Sequence, residues 1–186
     1  MHPRTEELLR HLDANRAVLH AAVDAVPPAL RERKPGPDRW SVAETLEHLT
    51  RVEEGITRLL ALRLSEAGAA GLLQPEPDES PVAGSIDHAL ITDRRRQITA
   101  GERVLPRGEM DAEAALRALA SSRAKLRDLL VANDGLTLNV VSHPHPFLGP
   151  IDGYQWFVFI GSHEARHADQ IREISAQLLR EAPRVE

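Results

Sequence analysis

The chain has 186 residues, 28 acidic against 23 basic, and a formal net charge of −5. That balance argues against a dedicated phosphate-backbone binder, and the length suits one domain, residues 1–186, with a substantial core. The absence of cysteine excludes disulfide frameworks, zinc ribbons and cysteine nucleophiles.

Read from the start, "MHPRTEELLRHLD" is charged and carries no apolar leader core. The longest strongly apolar run, Trp156 to Ile160, is far too short to span a bilayer. A soluble, cytoplasmic protein is the expectation. Apolar residues at helical spacing predict a first helix from Pro3 to Val26, stopped by Pro27 and Pro28. Ser41 with Glu44 three residues on matches a capping box and starts a second helix, striped by Val42, Leu46, Leu49, Val52, Ile56 and Leu60. A Gly/Pro-rich stretch, about Gly68 to Ser85, reads as a mobile surface loop. A weaker helix is expected over Ile86–Thr99, then one from Asp111 through Leu130 with a glycine stop in "ANDG". Residues 136–153 read as irregular, with room for a short extended piece, and the last helix runs from Tyr154 to Arg180. Alternating β-branched runs are nearly absent, so the fold class is all-α, a four-helix bundle. About forty residues separate the second helix from the Asp111 helix, which suits a long crossover carrying the additional short helix.

The last helix raises the functional question. In "GSHEARHADQIREI", His163 and His167 lie four apart and stack on one face. Trp156, Ile160, Ile171, Ile174 and Leu178 fall within about 80° of that direction, so both imidazoles lie inside the apolar stripe. Buried imidazoles need partners. A metal ion is one; carboxylates and backbone carbonyls are others. His48, at the edge of the stripe on the second helix, is the best candidate for a third ligand. His143 and His145 precede the last helix and stand where they would line a site mouth. His2, His11, His20 and His88 read as ordinary, partly exposed histidines. Glu44, Glu47, Glu53 and Glu54 read as a solvated helix face and Glu164 as surface, while Arg166 is a candidate for orienting an anionic cosubstrate. The run Arg94–Arg96 reads as a solvated face rather than a nucleic-acid contact. No nucleophile elbow, P-loop or dinucleotide fingerprint is present.

Three features together resemble the DinB-like superfamily. They are "RWSVAETLEHL" at 39–49, "HPHPFLGPIDGYQWFVFIGSHEARHADQI" at 143–171, and the order of one histidine on the second helix and two on the last. The resemblance covers essentially the whole chain. It implies an up-down-down-up bundle with a long crossover and a divalent metal, zinc or nickel, held by His48, His163 and His167. It also implies a homodimer, and a thiol-dependent enzyme akin to bacillithiol or mycothiol S-transferases and to mycothiol-dependent maleylpyruvate isomerase. A small-molecule substrate and a low-molecular-weight thiol cosubstrate follow from that. Three neutral imidazoles leave a divalent ion at least one open position, so a metal-dependent hydrolase and a non-catalytic metal- or small-molecule-binding bundle are the other readings.

Overall fold

Each helix begins where the local chemistry supplies a cap. The structure, a computed structural model, describes residues 1–96 and 98–181. Helix α1 spans Pro3–Asp24, its first proline using a position that needs no N–H. Helix α2 spans Val42–Ala69 behind the expected capping box, with Glu44 N–H donating to Ser41 Oγ at 3.1 Å and Ser41 N–H to Glu44 Oε2 at 2.9 Å. Helix α4, Ala112–Ala132, is capped by Asp111, which accepts from Ala114 N–H at 2.7 Å. Helix α5 runs Gly153–Glu181. Between α4 and α5 the irregular stretch holds an antiparallel hairpin, β1 Ser142–His145 and β2 Gly149–Asp152, with His145 opposite Gly149.

Helix α3 is shorter than expected. It covers only His88–Thr92, and the chain turns extended at Asp93. The reason is tertiary. Arg166 of α5 takes the carbonyls of Ile91 and Asp93 through Nη1, at 3.0 and 2.8 Å, and that of Arg96 through Nη2, at 2.8 Å. Carbonyls turned toward a buried guanidinium do not continue a helical ladder.

The two core clusters show the direction of each long helix. One joins Leu8 and Leu12 of α1, Ile56 and Leu64 of α2, Leu126 and Leu130 of α4, and Phe157 and Ile160 of α5. The other joins Leu19 and Val23, Val42 and Leu46, Ala115 and Leu119, and Ile171 and Leu178. From the first cluster to the second, numbering rises along α1 and α5 and falls along α2 and α4. The bundle is therefore up-down-down-up, and α2 and α4 run parallel, so the chain must return the length of the bundle between them.

A layer of buried charge separates the clusters. Glu53 Oε2 accepts from Arg123 Nη2 at 2.7 Å and Nε at 3.0 Å, and lies 3.4 Å from Arg16 Nη2. Glu164 Oε1 lies 2.7 Å from Arg16 Nη2 and 3.0 Å from Arg123 Nη2. Glu53 and Glu164 are each 2% exposed, so neither belongs to a solvated face. Glu47 is buried as well, accepting the backbone N–H groups of Arg107 and Gly108 at 2.9 Å each. Glu44, committed to its cap and to Lys34, and Glu54, paired with Arg58, fit the solvated reading better.

The stretch after α2, expected as a mobile surface loop, is largely exposed and carries several anchors. Arg4 donates to the Ser80 carbonyl at 2.9 Å and pairs with Glu76 at 2.9 Å, and Tyr154 Oη donates to Glu76 Oε2 at 2.6 Å. Backbone bonds from Thr137 N–H to Gln74 and from Glu76 N–H to Gly135 complete the anchor.

Candidate metal centre

His48 comes from the second turn of α2, and His163 and His167 from successive turns of α5. Their ligand-capable nitrogens all lie within 4.8 Å of one another. The Nε2 atoms of His163 and His167 are 3.0 Å apart. Two nitrogens bound to one ion at about 2.1 Å would be separated by roughly 3.0 Å at a right angle and roughly 3.4 Å at the tetrahedral angle. The spacing is compatible with a shared ion, as it is with a hydrogen bond between the two rings.

The outer nitrogens are already committed. His48 Nδ1–H donates to the Val104 carbonyl at 2.7 Å, and His167 Nδ1–H donates to Gln170 Oε1 at 2.8 Å. Each bond places the proton on Nδ1 and leaves the Nε2 lone pair facing the cluster. Burial pushes the His48 imidazole below its ordinary pKa. Burial, reinforced by the neighbouring histidines, pushes His163 and His167 well below it. All three are held neutral, the form a metal requires.

The cluster lies in the wall of a cavity of about 680 Å³. Trp40, Ile56, Ile91, Phe147, Trp156 and Phe159 give the cavity an apolar, largely aromatic lining. Arg39 and Arg94 also line it, Arg94 bonded to Glu173 at 2.8 Å. Asp38 is the one carboxylate among the lining residues described.

His145 and His143 separate here. His145, 7% exposed, lines the cavity, and burial lowers its pKa to about 4. His143, two residues along β1, does not line it. Arg166 lines the cavity but spends its guanidinium on the three carbonyls described above, so it positions the crossover rather than offering a free cationic grip.

Two histidines read as ordinary have structural posts. His88 Nε2–H donates to the Ala83 carbonyl at 2.9 Å, and its Nδ1 lies 2.7 Å from Ser162 Oγ. His11 Nε2 lies 3.0 Å from the Val158 carbonyl. No spacing in the sequence points to either, because each partner lies on a distant segment. His20 is exposed, as expected. Arg94 and Arg95 pair with Glu173 and Asp93, and Arg96 sits 5.8 Å from the Phe147 ring centre.

A family profile of the DinB superfamily matches residues 11–171. The chain belongs to the DinB superfamily. It is 27% identical over 157 residues to the uncharacterized protein YuaE of Bacillus subtilis (strain 168), covering 80% of this chain and 85% of that one. It is also similar to the crystal structure of TT2238, a four-helix bundle protein, with a TM-score of 0.59 and 20% identity over 91% of this chain and 98% of that one. The four-helix DinB architecture and a three-histidine cluster compatible with metal binding thus occur together. No helix among the described residues is long and apolar enough to cross a membrane.

Proposed function

We propose that His48, His163 and His167 hold a divalent metal ion, zinc or nickel, in an enzyme that joins a small thiol, through its sulfur, to an electrophilic substrate, by addition or with displacement of a leaving group from that substrate. The observation that carries this reading is the convergence of three neutral imidazoles on one wall of an apolar cavity. An ion held there supplies Lewis acidity and lowers the pKa of a thiol or water binding beside it. The rest of the work falls to the chain. Val104 and Gln170 fix the ring tautomers. The aromatic lining restricts water, and Arg39 offers a cationic group to an anionic cosubstrate. The chain has no cysteine, so the sulfur arrives with that cosubstrate. The protein acts in the cytoplasm on small molecules, as a homodimer, and does not bind nucleic acid.

Metal content decides the first half. Wild type, dialysed against zinc or nickel and then buffer, should retain close to one ion per chain. Each single His48→Ala, His163→Ala and His167→Ala change should weaken retention by at least about tenfold, while His143→Ala and His145→Ala leave it nearly intact. Wild-type protein that holds no divalent ion, or triad variants that hold it equally well, would remove the centre. Conversion of electrophiles by the loaded protein only when a low-molecular-weight thiol is added decides the second half; turnover without thiol would favour the hydrolase.

A further inference from the structure

We infer that His145 is a hydrogen-bond donor for the oxygen of the molecule this cavity takes, which makes that molecule a flat, apolar compound bearing a carbonyl or similar acceptor oxygen. The inference rests on the proposed function only in taking this cavity as the substrate site; it does not require the metal.

His145 ends β1, and its ring packs against the rings of Phe147, Trp156 and Phe159, at 4.4, 5.2 and 4.3 Å between centres. Its Nδ1 accepts from the backbone N–H of Phe147, two residues along the tight hairpin, at 3.4 Å. In a neutral imidazole that bond leaves the hydrogen on Nε2. Nε2–H has no acceptor among the described residues, and the residue lines the cavity. The indole Nε1–H of Trp156 is sealed from solvent and has no acceptor among the described residues. Buried donors are nearly always satisfied, so one without an acceptor in the wall of an apolar cavity marks a place for an acceptor brought in by a ligand. The surrounding rings restrict that ligand to something flat and apolar apart from this oxygen. Phe159 links the two halves of the cavity, its ring stacked on His163 at 5.2 Å and packed on His145 at 4.3 Å. An oxygen held by His145 would leave the adjoining carbon skeleton beside the imidazole cluster, where a thiol would meet an activated electrophile.

Acetophenone and α-methylstyrene test this, because they share a skeleton and differ by C=O against C=CH2. Their affinities for metal-free protein are read from the two indole N–H signals, since both tryptophans line the cavity. The ratio of acetophenone to α-methylstyrene affinity should fall about fivefold to tenfold in His145→Phe and recover toward wild type in His145→Gln, which restores a donor. His143→Phe should leave it unchanged. His145→Leu carries the test if the phenylalanine variant does not fold. A ratio that stays within about twofold in both apolar variants, or probes that shift neither indole in wild type, would overturn the assignment. Because no metal is present, failure of the triad to bind zinc would leave this result standing.

Discussion

Replacing Glu53 by alanine should be among the most damaging single changes in the bundle. Glu53 Oε2 is the main carboxylate partner of Arg123 and a second partner of Arg16, while Glu164 serves both arginines from the other side. With both carboxylates ionised, the four charges cancel in a layer sealed between two apolar clusters. Burial pushes the Glu53 carboxyl up and the Arg123 guanidinium pulls it back, so the pair depends on keeping both members. Removing Glu53 leaves two guanidiniums sharing one carboxylate. Breaking a buried pair in this way costs about 3–5 kcal/mol, a large share of a typical stability of about 5–15 kcal/mol. Glu53→Gln keeps the shape and an acceptor oxygen and should cost less. The paired change Glu53→Leu with Arg123→Leu restores balance, because Arg16 and Glu164 remain together. Its loss should fall short of the sum of the two single losses by at least about 2 kcal/mol. Urea denaturation followed by helical circular dichroism reads Glu53→Ala, Glu53→Gln, the double variant and its two single-leucine parents. Glu53→Ala within about 1 kcal/mol of wild type, or strict additivity in the double variant, would show that the layer is not an interdependent unit.

Three further outcomes follow from the geometry. Gly153→Ala sets a Cβ 2.5 Å from the Leu138 carbonyl oxygen, a backbone atom that cannot swing away, and should cost about 2 kcal/mol or more in thermal denaturation; Gly55→Ala, in α2 with nothing within 4 Å, should be neutral or stabilising by up to about 1 kcal/mol. Arg166→Met keeps the stem but removes the guanidinium donor from three carbonyls, of which Asp93 keeps the Arg96 N–H, so it should lower stability by about 2–4 kcal/mol and speed amide exchange between α3 and α4 most of all. His145 is held neutral down to about pH 4 in the fold but gains a proton near about 6.5 when unfolded, so its contribution to stability is full above about 6.5 and lost as the pH falls toward 4; wild type should therefore lose stability more steeply over that interval than His145→Phe in denaturation at fixed pH steps.

The parts of this fold legible in the sequence are those set by neighbours along the chain. Apolar periodicity marks α1, α2, α4 and α5, and the Ser41–Glu44 pair and Asp111 mark two helix starts to the residue. His163 and His167 could be placed on a buried face because their own helix defines that face. His48 is less visible, since it stands at the edge of its stripe and is buried by α5, Trp40 and Val104 together; it is 4% exposed. What stayed hidden depends on partners remote in sequence. "IDHALITDRRRQIT" reads as one amphipathic helix, and it ends early where Arg166, some seventy residues on, takes its carbonyls and Asp93 turns back onto Arg95. Glu53 and Glu164 read as surface because lone carboxylates usually are; nothing local announces that Arg16 and Arg123 arrive from two other helices. Gly and Pro in the stretch after α2 mark a loop, but nothing local announces the anchors that Arg4 and Tyr154 supply.

The crossover explains why the histidines can work as a site. A bundle of four helices with tight turns would bury the three imidazoles against apolar side chains or leave them open to water. Here the chain must travel back between α2 and α4, and that passage supplies the missing wall. Val104 on this passage takes the Nδ1–H of His48, and Ile91, Val104 and Leu105 line the cavity. Glu47, one residue before His48, holds the far end of the passage through Arg107 and Gly108, and Arg166, one residue before His167, holds its middle. The residues that fasten the wall are thus the sequence neighbours of the residues that face the cavity. A shift of the crossover would move the tautomer-setting carbonyl and the cavity wall together, which couples the chemistry of His48 to the access route for the substrate.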